Sequence, residues 1–270
     1  MTSCSAMTPT PTTAKETLSA LLKHLKLSHM NHHWQALERQ ALEQSWSHAQ
    51  FLLALCEHEA SQRYHSRIQP ALKEAKLPPA KAISNFDFSR CPNLNQATLA
   101  QLSQDPAWLS RGENLLLFGP SGVGKTHLAA AISRALIDLG ARVKFCSATA
   151  LVQQLQAAKA DLKLLPALLK LDKYDLLVLD DISYVKKSEA ETSVLFELIA
   201  HRYELRSLLI TANHAFSAWD DIFADTTMTV AAVDRLVHHA VIIEIQADSF
   251  RQHRAKQRSQ KQTDKTGQVN

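Results

Sequence analysis

The chain has 270 residues, 46% of them apolar and 21% charged, with a formal net charge of +4. This composition suits a globular protein with a sizeable core and excludes wholesale disorder. The sequence contains no run of roughly 18 uncharged apolar residues that could span a membrane. The opening segment lacks the basic and apolar parts of a signal peptide, and the four cysteines lack metal-binding spacing, so we expect a cytoplasmic protein with reduced thiols.

The N-terminal part of the sequence predicts helices. Residues 1–14 are rich in Ser, Thr and Pro and predict a disordered lead-in, whereas apolar residues recur at helical spacing through residues 15–77, which predicts a small all-α domain. This domain contains His29, His32 and His33, but no Cys or acidic residue at a recognisable spacing accompanies them, so we predict no metal site there. Residues 78–110 are predicted to be a linker that leads into the next module.

The second predicted module, residues 111–247, alternates apolar runs with helical segments. The predicted strands are Asn114 to Phe118, Val143 to Cys146, Leu176 to Leu179, Leu208 to Thr211 and Val241 to Ile245. The predicted helices are His127 to Leu139, Ala150 to Ala158, Glu189 to Leu205 and Thr229 to His239. Since mostly apolar runs suit strands that are buried on both faces, the pattern predicts an α/β fold with a five-stranded parallel sheet between layers of helices.

A glycine-rich segment follows the first predicted strand and opens a helix. It matches the P-loop (Walker A) pattern with Gly119, Pro120, Ser121, Gly122, Val123, Gly124, Lys125 and Thr126. Glycines let main-chain N–H groups face phosphates at the helix N-terminus. We therefore predict an ATP site in which Lys125 reaches the β- and γ-phosphates, the Thr126 hydroxyl holds Mg²⁺, and the adjacent His127 also contacts the nucleotide.

Two carboxylates at the end of the third strand, Asp180 and Asp181, form a Walker B pattern. We predict that Asp180 organises Mg²⁺ through its water shell and that Asp181 orients or activates the attacking water. The alternative is that both merely cap the following turn. Asn213, after the fourth strand, is predicted to be a catalytic sensor beside the γ-phosphate, although asparagine is also common in turns for local reasons.

Arg235, on the last predicted helix, is a candidate arginine finger. An arginine supplied by a neighbouring subunit would stabilise charge in the transition state, which requires a homo-oligomer. An ion pair with a nearby acid is the local alternative, and Arg202 and Arg206 are further candidates for the finger.

The C-terminal residues 248–270 are predicted to form a basic tail. This segment carries Arg251, Arg254, Lys256, Arg258, Lys261 and Lys265. Such a charge suits a polyanion such as nucleic acid, but a solvated tail that aids solubility explains it equally well.

The order of these features resembles a known family, the IstB-like helper ATPases of insertion sequences, which belong to the AAA+ class with the DnaC helicase loader and the DnaA initiator. The resemblance covers roughly residues 18–255 and rests on NFDFSRCPNL, LLLFGPSGVGKTHLA, LLVLDDI, ITANHAFSAW and AAVDRLVHHAVIIEI. It implies a homo-oligomer that assembles on double-stranded DNA, largely without sequence preference, and delivers a cognate transposase. It also implies that Phe86 and Phe88 lie near the adenine.

Two other functions remain open at this point. A helicase loader related to DnaC would share the ATPase core but capture a replicative helicase. The other is a scaffold that depends on nucleotide but hydrolyses it negligibly. Asp181 permits this function, because it stands where AAA+ proteins usually have a glutamate as the catalytic base.

Overall fold

The computed structural model describes residues 11–79, 81–182, 188–214 and 226–247. The chain divides into two compact units, Met1–Gln69 and Pro70–Asn270. Among the described residues, no helix is both long and apolar enough to cross a membrane.

The first unit is helical. Its helices are α1 (Pro11–His24), α2 (Ser28–Glu43) and α3 (His48–Ala75), the last of which continues into the second unit. Leu22, Trp34 and Leu55, one from each helix, form its buried centre. The helical periodicity predicted for this region is therefore present in the structure.

The second unit begins with short helical elements. After the 3₁₀ turns Ile83–Asn85 and Phe88–Arg90 come α4 (Gln96–Gln104) and α5 (Ala107–Ser110). The Asn95 side chain starts α4 by accepting hydrogen bonds from the N–H groups of Ala97 and Thr98, as Asn often does at a helix N-cap.

The core of the second unit alternates strands and helices. In chain order these are β1 (Asn114–Phe118), α6 (Lys125–Asp138), β2 (Val143–Ser147), α7 (Ala148–Ala160), α8 (Leu164–Leu171), β3 (Leu176–Asp180), α9 (Glu189–Arg202), β4 (Ser207–Ala212), α10 (Thr226–Val237) and β5 (Ala240–Glu244). The strands form one parallel sheet in the order β2-β3-β4-β1-β5. The predicted α/β fold with five parallel strands is confirmed.

Helices cover both faces of this sheet. Leu116, Phe118, Leu177 and Leu179 face a core shared with α7, α8, α9 and α10. Neighbouring side chains along a strand point to the opposite face, where α6 packs on the sheet and against α4. The central strands β1 and β4 are wholly buried, which explains their continuous apolar runs.

The helix α8 was not among the predicted elements. It is short and contains Pro166, which favours a loop in a sequence reading. Pro166 lies in the first turn of α8, where the N–H that proline lacks has no partner within the helix, so the helix tolerates it.

Candidate functional site

The loop of residues 119–124 joins β1 to α6 and depends on two glycines. Gly119 has a φ of +143°, and a Cβ there would lie 2.3 Å from the carbonyl oxygen of Ile245. Gly124 has a φ of +107°, and its Cβ would lie 2.7 Å from Cε2 of Phe86. A larger residue at either position would therefore be strained and would collide with its neighbour. The loop ends at the N-terminus of α6, which favours an anion.

Lys125, the first residue of α6, is 7% exposed. Its Nζ donates hydrogen bonds to the carbonyl oxygens of Gly119 and Pro120, at 2.6 and 2.9 Å, and to Oδ1 of Asn213 at 2.8 Å. The ammonium group is thus held at the mouth of the loop, where it can meet a phosphate.

Asp180 ends β3 and accepts hydrogen bonds from two hydroxyl groups. Thr126 Oγ1 lies 3.0 and 3.1 Å from its two carboxylate oxygens, and Thr211 Oγ1 lies 2.7 Å from Oδ1. Burial raises the pKa of Asp180 above its ordinary value, Asp181 adds to the effect, and the two hydroxyl groups and Lys125 oppose it. A cation bound nearby would act in the opposite direction, because opposite charge favours the carboxylate form.

Asp181 lies next to Asp180 and is hydrogen-bonded to Asn213 and to Thr211. The Asp181 N–H donates to Thr211 Oγ1 at 2.8 Å, and Nδ2 of Asn213 lies 3.3 Å from Oδ1 of Asp181. Asp181 has a φ of +60°, an unusual conformation for a residue other than glycine. Asn213 therefore bridges Lys125 and Asp181.

A cavity of about 340 Å³ adjoins these groups. Its walls include the predicted residues Phe86, Ser121, Gly122, Val123, Gly124, Lys125, Thr126, His127, Asp181 and Asn213. Phe86 stands edge-on to His127, with ring centroids 5.4 Å apart, and His127 Nε2 lies 2.9 Å from the carbonyl oxygen of Ala82. Phe88 packs edge-on against Phe86, with ring centroids 5.0 Å apart, and is not among the residues that line the cavity.

Arg235 lies outside this cavity. Its guanidinium donates to the carbonyl oxygen of Ala231 on α10 at 2.8 Å and sits 5.2 Å from the ring centre of Phe196. Arg235 is therefore not among the residues that line the cavity of its own chain.

The two alternative arginines have local roles. Arg202 is 1% exposed and donates to the carbonyl oxygens of Leu171, Tyr174 and Ser207, and burial lowers its pKa to about 10. Arg206 donates to the carbonyl oxygen of Asp172 and lies 3.6 Å from Asp175. Arg202 cannot reach a neighbouring subunit from this position.

The sequence reading missed Thr211, which bonds to Asp180 and Asp181. The signal was available, because Thr211 and Asn213 are two residues apart and alternate residues of a strand share a face. It also missed Lys81, Asn85, Asp87 and Arg90, polar residues of the linker that line the cavity. The basic tail lies outside the described residues.

The donor set suits the predicted Mg²⁺. Thr126 and Asp180 offer oxygen ligands only, and hard cations such as Mg²⁺ prefer oxygen and keep several waters. These residues therefore fit the ion.

Comparison with known proteins points to one group. The sequence profile described as IstB-like ATP binding protein matches residues 20–260. A protein of Sinorhizobium fredii named as an insertion-sequence ATP-binding protein is 50% identical over 238 residues, covering 88% of this chain and 80% of that protein. The ATP-binding protein named for insertion sequence IS21 of Pseudomonas aeruginosa is 35% identical, covering 87% of this chain and 88% of that protein.

A solved structure shares the fold. The AMPPCP-bound DnaA of Aquifex aeolicus superposes with a TM-score of 0.53 at 20% identity, over 64% of this chain and 52% of that one. At this identity the likeness shows the fold alone.

Proposed function

The chain belongs to the IstB-like ATP binding protein family and has the AAA+ fold, and we propose that it hydrolyses ATP with Mg²⁺ to act as a DNA-binding helper of transposition. The protein oligomerises on double-stranded DNA and recruits or activates a cognate transposase. The relatives are named as ATP-binding proteins of insertion sequences, which supports an association with transposition.

The hydrogen bonds around Asp180 are the observation that carries the proposal. Hydroxyl groups from two separate elements, Thr126 on α6 and Thr211 on β4, converge on one carboxylate at the end of β3. A cap for the following turn would need neither of these long-range contacts. In the proposed reaction Thr126 holds Mg²⁺ and Asp180 organises its water shell, while Lys125 stabilises charge on the β- and γ-phosphates.

Asp181 orients or activates the attacking water. Asn213 restrains its carboxylate, and Thr211 restrains its main chain. Because Asn213 also accepts a hydrogen bond from Lys125, it can sense whether that ammonium group is engaged by a γ-phosphate. The Asp181 side chain is one methylene shorter than the glutamate usual in AAA+ proteins. Its positive φ changes the direction of the backbone at this residue.

The adenine lies against the aromatic side of the cavity. Phe86 and His127 form that wall, and Phe88 packs against Phe86. Aromatic faces suit base stacking, which is worth roughly 1–3 kcal/mol per base in nucleic-acid complexes.

DNA binding is phosphate-led and largely nonspecific. The basic tail supplies cations that neutralise phosphates, so affinity falls steeply as salt rises. Arg235 acts across the interface between subunits as an arginine finger, which couples hydrolysis to assembly.

The test combines nucleotide binding, hydrolysis and DNA binding by the purified protein. Lys125→Ala is expected to lose ATP binding, whereas Asp181→Asn is expected to keep it and to lower kcat by about 10²- to 10⁴-fold. Asp161→Asn, an exposed aspartate elsewhere in the same unit, is the matched control and should behave as the parent. Unchanged turnover in Asp181→Asn would contradict the proposed role.

The DNA-binding experiment measures the mass of the protein particles that form on a nonspecific duplex, with ATP, with ADP and without nucleotide. The proposal expects ATP-dependent oligomers on duplex DNA. Absence of duplex binding, together with capture of a replicative helicase, would instead identify a helicase loader.

A further inference from the structure

Two turns at the amino-terminal ends of β4 and β5 bring three metal-ligating side chains together. We propose that Glu204, His238 and His239 form a binding site for a divalent transition-metal cation such as Zn²⁺. One ring nitrogen of each histidine and one carboxylate oxygen of Glu204 all lie within 4.8 Å of one another. No other group of three His, Cys, Asp or Glu ligands this close occurs in the part of the chain that the structure describes.

The donor set and spacing suit zinc. Zn²⁺ binds imidazole nitrogen at 2.0–2.1 Å and accepts carboxylate oxygen, so tetrahedral ligands lie roughly 3.4 Å apart. Oε1 of Glu204 is 3.7 Å from Nδ1 of His238 and 3.8 Å from Nε2 of His239. Small side-chain rotations would close these distances, and water can fill the fourth position.

A neighbouring phenol orients one of the rings. The hydroxyl of Tyr203 lies 2.6 Å from Nδ1 of His238. Because Nδ1 is also the ring nitrogen that faces Glu204, a bound cation would replace this hydrogen bond, and the phenol holds the ring in place before the metal binds. The ring centroids of His238 and His239 are 4.0 Å apart, so both imidazoles stand on the same side of their turn.

The backbone that carries the histidines is braced by Asn114. Its N–H donates to the carbonyl oxygen of His239 at 2.7 Å, and its side-chain amide donates to the carbonyl oxygen of Leu236 at 3.1 Å. The same side chain accepts from the N–H of Leu208 at 2.9 Å. Asn114 thus connects the turn before β5 to the start of β4.

The backbone of Glu204 is held as firmly. Glu204 has a φ of +57°, and a Cβ on Gly112 would approach its main-chain carbonyl carbon to 2.8 Å. Close packing on Gly112 therefore fixes the turn from which Glu204 projects. Preorganised ligands lose less freedom when they bind a cation.

The site is distinct from the nucleotide cavity. It lies at the amino-terminal edge of the sheet, whereas the Walker residues follow the carboxyl ends of the strands. Five residues of strand separate these edges by about 17 Å. All three ligands are exposed, so a cation reaches them from solvent, and binding does not depend on the proposed ATPase activity.

Zinc binding by protein without a histidine tag tests the proposal. Calorimetric titration with ZnCl₂ uses chelator-treated full-length chain in a Cys56→Ser background, because Cys56 is an exposed thiol that could bind zinc. We expect one zinc ion per chain. Each of Glu204→Gln, His238→Ala and His239→Ala should weaken binding at least about tenfold.

The matched control is the double variant His32→Ala/His33→Ala, which removes another pair of adjacent exposed histidines. It should bind zinc as the parent does. Zinc should also raise the thermal midpoint of the parent and the control but not of Glu204→Gln, since a ligand stabilises only the state that it binds.

Equal zinc affinity in the parent and in Glu204→Gln/His238→Ala would overturn the proposal. X-ray absorption of the zinc-loaded protein gives an independent answer: nitrogen and oxygen ligands near 2.0–2.1 Å are expected, and sulfur ligands near 2.3 Å would refute the assignment.

Discussion

At the scale of single residues, Thr211 connects the two Walker carboxylates. A hydroxyl has one donor and two acceptor sites, and Thr211 uses the donor on Asp180 and an acceptor on the N–H of Asp181. The main chain of Thr211 contributes as well, because its carbonyl oxygen accepts from the N–H of Ile182 at 3.0 Å. Thr211 therefore fixes the position of Asp180 relative to Asp181, the two aspartates that we propose organise the metal and orient the water.

Replacing Thr211 with Val should separate binding from hydrolysis. Valine fills the same space, but it leaves the N–H of Asp181 without its partner and releases Asp180. We expect ATP affinity to change by less than about tenfold while kcat falls by about 10- to 100-fold, because misplacing a catalytic group by a fraction of an ångström is costly. Thr211→Ser should restore turnover.

The control for Thr211→Val is Thr192→Val. Thr192 is also buried, and its hydroxyl donates to the carbonyl oxygen of Ser188 at 3.0 Å, away from the cavity. This control should lose about 1 kcal/mol of folding free energy and keep its kcat. An unchanged kcat in Thr211→Val would show that the hydroxyl has no positioning role.

At the scale of elements, α2 is capped by a residue from another helix. Leu27 at its N-cap makes no side-chain hydrogen bond, but Glu59 on α3 accepts from the N–H of Met30 at 2.7 Å. Arg63 binds Glu59 at 2.7 Å and also donates to the carbonyl oxygen of Lys26. The buried Glu59 carboxylate thus joins the start of α2 to the middle of α3, and Arg63, half-exposed on α3, pairs with it.

The cap should make the stability of the first unit depend on pH. Burial acts to raise the pKa of Glu59, but the N–H of Met30 and the Arg63 guanidinium outweigh it, so the pKa lies below its ordinary value of 4.5. Stabilisation by the carboxylate is therefore complete above the unfolded pKa and is lost as pH falls through the folded pKa. We expect Glu59→Gln to cost about 1–2 kcal/mol at pH 7 and progressively less below about pH 4.

Chemical denaturation of the full chain, followed by helical circular dichroism at pH 7 and pH 3.5, measures this difference. Glu57→Gln, which changes an exposed glutamate on the same helix, is the control and should have no such effect. A destabilisation by Glu59→Gln that is equally large at both pH values would argue against capping by the charged form.

At the scale of the whole molecule, the candidate arginine finger does not line the cavity of its own chain. Arg235 lies on α10 beside Phe196 and outside the cavity wall. An arginine finger from this position requires a second subunit, so hydrolysis should depend on assembly.

Mixing two inactive variants tests this dependence. We expect Arg235→Ala to keep ATP binding but to lower turnover of the oligomer by about 10³-fold or more. Asp181→Asn subunits still offer Arg235, and Arg235→Ala subunits still offer Asp181. Mixed oligomers should therefore regain part of the steady-state ATPase rate, and no recovery at any mixing ratio would place the finger elsewhere.

The parts that sequence predicted well are those encoded by neighbouring residues. The predicted strand Asn114 to Phe118 matches β1, because a strand buried on both faces leaves a continuous apolar signal, here from Leu115 to Phe118. The parts that it missed depend on distant pairing. The contact of Thr211 with Asp180 follows from the pairing of β3 with β4, and the cap of α2 comes from a residue 29 positions beyond Met30. Local patterns do not specify such contacts.

The residue that follows β5 packs directly on the loop of residues 119–124. The N–H of Ile245 donates to the carbonyl oxygen of Phe118 at 2.8 Å, and Gly119 leaves no room between itself and Ile245. Ala247, two residues on, already lines the cavity. Because this packing has no slack, a displacement of Ile245 would also displace Gly119 in the loop that we propose binds phosphate.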